Sequence, residues 1–261
     1  MSNSPLASYT RISPNHNSPR KFPITRITPH CVVGQFTAKQ ILDMNHFTTY
    51  DPDNGSSCNY AVGKDGSIGL GVDEGDRSWC SSSSDNDHRA VTIEVSSELV
   101  HPYEITDAAY KALIDLMVDV CKRNRKFRLV WPGSKDAALA YRPKADEMVL
   151  TAHRFFANKA CPGDYMYTRF GQMAEEVTAR LEDDDDMTQE QFKQMMAAYE
   201  ASKANPVPDN DPADWEKEGV EWAVQNGLMA GDGTGNLKLH DNITRGQFCV
   251  MLKRYHDQMK G

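Results

Sequence analysis

Residues 90–123 contain a short alternating run, Ala90-Val-Thr-Ile-Glu-Val95, and a longer run, Thr106-Asp-Ala-Ala-Tyr-Lys-Ala-Leu-Ile-Asp-Leu-Met-Val-Asp-Val-Cys-Lys-Arg123. The first run alternates in polarity as a β-strand does. Thr106 is a suitable helix N-cap for the second run. Apolar residues then recur at helical spacing, at Leu113, Leu116, Met117 and Val120. The stretch therefore predicts a strand followed by an amphipathic helix.

Strands and helices continue to mix on both sides of this stretch. The further predicted strands cover residues 24–33, 58–62, 67–70 and 148–152, and the further predicted helices cover residues 37–47 and 171–181. Asp65-Gly66 lies between two of these strands and is a strong hairpin signal. This mixture predicts the α/β class, with a mixed central β-sheet flanked by helices.

Charge is distributed unevenly along the 261 residues, a length that allows one large domain or two smaller ones. Residues 1–180 contain 21 acidic and 21 basic side chains, whereas residues 181–261 contain 16 acidic and 8 basic ones. A nucleic-acid-binding protein needs clustered Lys and Arg, so we expect no nucleic-acid partner. The uneven charge also predicts two modules with different roles.

The boundaries of these modules follow from composition. Residues 1–22 are rich in Ser, Pro and Asn and are predicted to be a lead-in segment, followed by a catalytic domain over 23–181. A run of four aspartates marks an acidic linker at 182–187. Residues 188–261 are predicted to form a small all-α module. Within it, the sequence of Thr188–Tyr199 is repeated in similar form at Thr244–Tyr255. Its predicted core comprises Phe192, Met195, Tyr199, Trp215, Trp222, Phe248, Met251 and Tyr255.

Hydropathy and cysteine spacing indicate where the protein resides and the state of its thiols. No stretch approaches the 18 or so apolar residues of a membrane span, so we expect no membrane insertion. Residues 1–22 lack the apolar core of a secretory signal, which predicts that the protein accumulates in the cytoplasm where it is made. The six cysteines show no CxxC pair and no disulfide spacing, and we expect thiols.

Three residues suit a catalytic zinc ion, which typically takes three protein ligands. His30 and His153 lie at the ends of predicted strands, and Cys161 follows His153 by eight residues in a Pro-Gly turn. Spacing alone leaves two interpretations open, because eight histidines and six cysteines offer many triplets. The alternative is that these are structural residues with satisfied hydrogen bonds.

Five motifs occur in a fixed order over about residues 22–181. They are Ile27-Thr-Pro-His30-Cys31, Ser57-Cys-Asn-Tyr60-Ala-Val-Gly-Lys-Asp-Gly66, Val91-Thr-Ile-Glu94-Val95, His153-Arg154 and Lys159-Ala-Cys161-Pro-Gly-Asp164. Together they closely resemble the zinc-dependent N-acetylmuramoyl-L-alanine amidases of the peptidoglycan-recognition-protein and phage-lysozyme superfamily. The resemblance implies peptidoglycan as the substrate and hydrolysis of the amide between the muramic lactyl group and L-alanine.

Roles for individual residues are implied by this resemblance. The zinc ligands correspond to His30, His153 and Cys161. Tyr60 and Lys159 correspond to a polar pair that flanks the metal and stabilises the developing oxyanion. Glu94 corresponds to a strand carboxylate that handles the water proton. From the residues alone, Tyr60 remains interpretable as a strand aromatic and Glu94 as a half-exposed strand carboxylate.

Two places depart from the family pattern. Cys31 stands where a second histidine usually follows the first ligand. The segment Trp79-Cys-Ser-Ser-Ser-Ser-Asp-Asn-Asp-His88-Arg89 replaces a common Trp-His-Ala-Gly stretch. Trp79 and His88 are the candidates for substrate contact in this segment, although a loop histidine is more often simply solvated.

A second resemblance covers residues 215–248, which are similar to an S-layer homology motif. The segment runs from Trp215-Glu-Lys-Glu-Gly-Val-Glu-Trp222 to Ile243-Thr-Arg-Gly-Gln-Phe248. Such motifs anchor proteins to polymers of Gram-positive cell walls, which implies a secondary cell-wall polymer as partner and Arg245 as its contact. One complete copy is present where three are common, so assembly of a homodimer stays open.

The leading hypothesis is a peptidoglycan hydrolase, a phage or prophage endolysin that acts on the wall of a Gram-positive host after release. One alternative is a cytoplasmic muropeptide-recycling amidase, which usually has Asp as the third ligand and no wall module. The other is a non-catalytic peptidoglycan-recognition protein, which characteristically lacks the cysteine ligand. Cys161 therefore counts against both alternatives.

Overall fold

The computed structural model describes residues 3–185, 196–197 and 208–260. The chain divides into two compact units, residues 1–186 and 187–261. Within the described ranges, no helix is both long enough and apolar enough to cross a membrane. All six cysteines are free thiols.

Strands of the first unit form one large sheet and one small one. They are β1 (Tyr9–Thr10), β2 (His16–Asn17), β3 (Arg26–Cys31), β4 (Tyr60–Val62), β5 (Ile68–Leu70), β6 (Arg77–Ser78), β7 (Ala90–Val95), β8 (Arg128–Val130) and β9 (Glu147–Leu150). The large sheet has the order β1-β5-β4-β7-β3-β9-β8, and β2 pairs with β6. Within the large sheet, β4 and β5 are antiparallel and the other pairs are parallel. The predicted mixed α/β sheet is therefore confirmed.

The helices of the first unit lie between these strands in the chain or follow the last of them. They are α1 (Ala38–Leu42), α2 (Asn45–Thr48), α3 (Ser84–Asp87), α4 (Asp107–Arg123), α5 (Lys135–Ala140), α6 (Asp164–Tyr167) and α7 (Phe170–Asp185), with a 3₁₀ turn at His153–Phe155. The side chain of Thr106 caps α4 by accepting a hydrogen bond from the backbone N–H of Ala109. The long helix thus begins at the cap that the sequence indicates.

The two faces of the large sheet have different neighbours. On one face, Ile27, Tyr60 and Ile93 belong to the main core, which also contains the buried residues of α4 and α7. On the other face, Ala61 packs in a smaller cluster with residues of α1. Successive side chains of a strand point to opposite faces. Glu94 directly follows Ile93, and His30 is three residues after Ile27, so both side chains point away from the main core. They therefore lie on the face that α4 does not cover.

The first 22 residues are integrated into the first unit, which differs from the predicted lead-in. β1 extends the large sheet beside β5, and β2 pairs with β6. The Arg20 guanidinium donates hydrogen bonds to the backbone carbonyls of Glu74, Asp76 and Ala90. These contacts use backbone groups and single polar side chains, so they leave no apolar periodicity in the sequence.

The acidic run at the end of the first unit is helical where it is described. The sequence predicts a helix that ends at Leu181 and a break at the aspartates, whereas α7 continues to Asp185. Leu181 is buried and fixes the preceding turn against the core. Aspartate costs a helix only about 0.7 kcal/mol per residue relative to alanine, so the helix tolerates these residues.

The described part of the second unit contains no strand, and residues 208–260 contain two helices. They are α8 (Lys217–Gln225) and α9 (Arg245–Gln258). Thr244 and Gln247 form a capping box at the start of α9. The first copy of the repeated sequence lies outside the described residues except at 196 and 197.

The aromatic residues that the sequence predicts for the core of the second unit are largely exposed where the structure describes them. Trp215 is 84% exposed, and Trp222 and Phe248 are 50% and 52% exposed. Neither α8 nor α9 contains a buried residue. Three other residues of the predicted core, Phe192, Met195 and Tyr199, lie outside the described residues.

Candidate metal centre

Three neighbouring parallel strands direct the candidate residues to one edge of the large sheet. His30 in β3 is paired in register with Glu94 in β7, near the carboxyl end of each strand. β9 lies on the other side of β3, and His153 follows its end by three residues. The crevice at the carboxyl ends of strands is the usual place for a ligand in open α/β sheets.

The chain beyond β9 is held in place by hydrogen bonds to β3. The backbone N–H of Thr151 donates to the carbonyl of Ile27 at 3.0 Å. The hydroxyl groups of Thr151 and Thr28 lie 2.7 Å apart. These contacts extend the strand pairing past the end of β9 and bring the 3₁₀ turn with His153 to the edge where His30 lies.

His30, His153 and Cys161 form a compact cluster. One ligand atom from each lies within 4.8 Å of the other two. The Cys161 Sγ is 3.3 Å from the His30 Nδ1, and the two imidazole centroids are 5.1 Å apart. The backbone carbonyl of Cys161 accepts a hydrogen bond from Arg154, which joins its loop to the 3₁₀ turn.

Gly163 allows the loop after Cys161 to turn against its neighbour. Its φ is +84°, a value that residues with a side chain rarely adopt. A Cβ atom at this position would lie 2.8 Å from the Cβ of Tyr103. Glycine is therefore required here both for its backbone conformation and for the close approach to Tyr103.

The donor set of this cluster fits zinc. Catalytic zinc sites with two histidines or with mixed histidine and cysteine ligands are well known, and the imidazole must be neutral to bind. Burial, together with the neighbouring His153, lowers the pKa of His30 to about 3. Its Nε2 is buried and has no hydrogen-bond partner among the described residues. A neutral, buried imidazole with an unpaired nitrogen is suited to a metal.

The thiol of Cys161 has a second cysteine beside it. A hydrogen bond with the Cys31 thiol, followed by burial, raises the pKa of Cys161 well above its usual range. Without metal the side chain is therefore a thiol. Thiolate is the ligand form, so zinc binding at this cysteine requires release of its proton.

Glu94 lies beside the cluster on the same face of the sheet. Its Oε1 is 4.0 Å from the His30 Nδ1 and 3.6 Å from the Cys80 Sγ. Its Oε2 is buried and has no hydrogen-bond partner among the described residues. Burial raises the pKa of Glu94 to about 7. A carboxylate with such a pKa is suited to accept and return a proton near neutral pH.

Cys80 and Ser82 reach the site but were not predicted from the sequence. Ligand atoms of His30, Cys80 and Glu94 also lie within 4.8 Å of one another. The Ser82 Oγ lies 2.9 Å from the His153 Nε2. Both residues belong to the segment that replaces the common Trp-His-Ala-Gly stretch, and this replacement was the only signal for them in the sequence.

Lys159 lies on the exposed side of the cluster. It precedes Cys161 by two residues and lines an open cavity of about 380 Å³. The cavity is bordered by Lys135, Arg154, Phe155, Phe156, Ala157, Asn158 and Lys159. Arg154 is held by an ion pair with Asp164 at 2.9 Å. Lys159 thus lines a cavity with other basic side chains, next to the turn that contains His153.

Tyr60 is not brought to the cluster. It is fully buried, and its neighbour Ala61, not Tyr60, is in register with Glu94. The Tyr60 side chain therefore points to the opposite face of the sheet. Its hydroxyl donates to Glu74 Oε1 at 2.6 Å and accepts from the Ser4 backbone N–H at 2.7 Å. Strand alternation and these two bonds separate it from the candidate metal centre.

The two predicted substrate contacts, Trp79 and His88, lie at different places. His88 is buried two residues before β7, at the opposite end of that strand from Glu94, and its Nδ1 accepts from the Lys21 backbone N–H. Trp79 is half-buried next to Cys80, and its Nε1 donates to Asn17 at 2.7 Å. Only Trp79 is adjacent to the site.

Arg245 belongs to the second unit. It is the first residue of α9, immediately after the Thr244 cap, and its side chain is exposed. This position leaves the guanidinium accessible to a partner molecule.

The chain is similar to several solved structures. The endolysin N-acetylmuramoyl-L-alanine amidase LysCS from Clostridium intestinale is 16% identical, with 67% of this chain and 97% of that chain covered and a TM-score of 0.42. An AmpD derivative is 19% identical, with 66% and 96% covered and a TM-score of 0.45. The Drosophila peptidoglycan recognition protein SA is 15% identical, with 62% and 90% covered and a TM-score of 0.45.

Family models give the more specific comparison. The S-layer homology domain model matches residues 209–249. The N-acetylmuramoyl-L-alanine amidase model matches residues 20–164, which is more than half of the chain and includes every residue of the metal cluster. A comparison with curated proteins gave no match. From the extent of the amidase match, the chain belongs to the N-acetylmuramoyl-L-alanine amidase family.

Proposed function

We propose that the chain is a zinc-dependent peptidoglycan hydrolase that cleaves the amide between N-acetylmuramic acid and L-alanine. Family membership supports peptidoglycan amidase activity. The observation that carries the zinc-dependent step is the cluster of His30, His153 and Cys161, with Glu94 beside it on the same sheet face. These three residues would hold the ion, which when bound supplies a Lewis acid for the scissile carbonyl.

Glu94 performs the proton transfers in this proposal. Its carboxylate accepts the proton of the attacking water and delivers it to the departing amine of L-alanine. The raised pKa, about 7, favours both transfers near neutral pH because the group gains and loses its proton there. Cys80 donates its S–H to Glu94 at 3.6 Å and holds the carboxylate toward the cluster.

Lys159 stabilises the negative charge that develops on the substrate oxygen. An ammonium group near the developing oxyanion lowers the energy of the transition state more than that of the substrate. Its exposed position on the loop before Cys161 leaves the ammonium group accessible to a bound peptide. Tyr60 takes no part in this mechanism, because its hydroxyl is committed to Glu74 and Ser4 on the other face of the sheet.

The setting that we propose is an endolysin acting on Gram-positive walls, with the second unit binding a secondary wall polymer through Arg245. The S-layer homology match supports this setting. A muropeptide-recycling enzyme is less well supported, because the third ligand position is Cys161 and a second unit follows. A non-catalytic recognition protein is less well supported, because the cysteine ligand is present.

Mass spectrometry of digested peptidoglycan tests the proposed reaction. Purified walls treated with the wild-type chain should release stem peptides with a free L-alanine amino group and glycan strands with intact lactyl ethers. Cys161→Ser should abolish release. Products with cleaved glycosidic bonds, or no products at all from zinc-loaded wild-type protein, would contradict the proposal.

A further inference from the structure

We propose that Ser82 is a positioning residue that orients His153 for metal binding. The proposal rests on the proposed zinc-dependent function of the same cluster. Its starting observation is the 2.9 Å contact between the Ser82 Oγ and the His153 Nε2. Ser82 belongs to the loop between β6 and α3, for which the family resemblance implied no zinc-related role.

The contact with Ser82 distinguishes the roles of the two ring nitrogens of His153. A histidine that binds a metal through one ring nitrogen commonly donates the N–H of the other to a nearby oxygen. With the Nε2–H donating to Ser82 Oγ, the Nδ1 of His153 is left with its lone pair for the ion. The hydrogen bond thereby fixes both the tautomer and the orientation of the ring.

Ser82 has an uncommon backbone conformation. Its φ is +60°, in the left-handed region that few non-glycine residues occupy. Such conformations persist where the surrounding structure fixes them, and they are concentrated at functional sites. The residue with this conformation is the one whose hydroxyl contacts the Nε2 of His153, a candidate metal ligand.

The residues on both sides of Ser82 are fixed by α3. The carboxylate of Asp87, which is 1% exposed, accepts hydrogen bonds from the backbone N–H of Cys80 and from the N–H and hydroxyl of Ser81. On the other side, the Ser83 hydroxyl caps α3 by accepting from the N–H of Asn86. Ser82 is therefore held between two anchored neighbours, so its hydroxyl stays at a defined position over His153.

Zinc affinity of the full-length chain tests this role. Apo protein would be titrated with zinc against a chromophoric chelator for wild type, Ser82→Ala and Ser82→Gly. Both variants lack the hydroxyl, and glycine adopts a positive φ without strain, so Ser82→Gly preserves the loop. We expect zinc affinity to fall about 10- to 100-fold in both, the range observed when a partner of a metal-bound histidine is removed.

Ser84→Ala is the matched control, since Ser84 is exposed and lies in the same segment as the first residue of α3. It should bind zinc as tightly as wild type. In zinc-loaded wild type labelled at histidine nitrogens, NMR should place the His153 proton on Nε2. Unchanged affinity in Ser82→Ala and Ser82→Gly, or a proton on Nδ1, would overturn the role of Ser82 alone. A wild-type chain that binds no zinc would overturn the proposed function as well.

Discussion

The two units of the chain differ in how deeply the apolar side chains of their helices are buried. In the first, Leu116 and Met117 of α4 are fully buried against a seven-stranded sheet. In the second, Leu252 and Phe248 of α9 are 51% and 52% exposed. Both helices show apolar residues at helical spacing. The difference teaches that periodicity predicts a helix, whereas burial requires a second layer broad enough to cover it.

A catalytic or metal-binding site needs side chains that are held by a packed core, as they are in the first unit. His30 and Glu94 are fixed because β3 and β7 are central strands with a packed core behind them. Rigid elements hold catalytic groups more closely than mobile ones do. The second unit offers exposed side chains on helices, an arrangement suited to contact with a large partner.

Removing a buried charge should produce the largest difference between the units. Glu74 is fully buried and pairs with Arg123 at 2.6 Å, whereas Asp257 and Lys253 form an exposed pair in α9. Glu74→Ala should lower the free energy of unfolding by about 3–5 kcal/mol, because it leaves a largely buried guanidinium without this carboxylate. Asp257→Ala should change it by about 0.5 kcal/mol or less. Guanidinium denaturation of each variant measures both values.

Truncating one leucine in each unit sharpens the comparison of apolar burial. Leu116→Ala should destabilise the first unit by about 2–5 kcal/mol, because it removes buried surface and leaves a cavity. Leu252→Ala should have an effect within about 0.5 kcal/mol, since half of that side chain is already exposed. Calorimetric unfolding would show both effects. An equally large loss with Leu252→Ala would mean that α9 is covered in solution, as in a homodimer.

The carboxylate of Glu94, which we propose to be catalytic, provides a test confined to the first unit. Glu94→Gln should reduce turnover of soluble muropeptide by about 10²–10³ while zinc content is retained, because the amide cannot take up the water proton. Glu98→Gln makes the same change four residues later, at an exposed position, and should leave turnover near that of wild type. Near-normal turnover in Glu94→Gln would remove this residue from the mechanism.

The smallest expected effect is a pH dependence in the second unit. A hydrogen bond with Asp209 raises the pKa of His240 above its usual value of 6.5. The protonated form is thus favoured by folding, so its stabilisation is fully present below pH 6.5 and is lost as pH rises through the folded pKa. The melting temperature of this unit should therefore decrease slightly as the pH is raised above neutral. His240→Asn should remove that slope, and a slope that survives would assign it to other groups.

The position of the two histidines at or just beyond strand ends left two interpretations open in the sequence, and the family resemblance singled out the candidate metal cluster. Strand ends in a parallel sheet meet at one edge, so the pattern that reveals β3 and β9 also places His30 and His153. Tyr60 is different, since its strand was recognisable but its face depends on register with β7. A shift of one residue in register would reverse that face.

Other features were beyond reach of the sequence for physical reasons. β1 and β2 are two-residue strands made by backbone pairing at polar positions, which carry no periodic signal. The contact of Ser82 with His153 depends on a positive φ in a serine-rich loop. The preceding residues Cys80 and Ser81 are held by the carboxylate of Asp87, and these bonds cannot be inferred from local composition.

Zinc content per chain tests most directly the claim that the first unit contains a metal-dependent hydrolytic site. The account predicts about one zinc ion per wild-type chain and loss of most of it, together with the lytic activity, in Cys161→Ser with the fold retained. Cys249→Ser, an exposed cysteine in the second unit, should keep both. Fully active wild-type protein that contains no zinc would contradict the account.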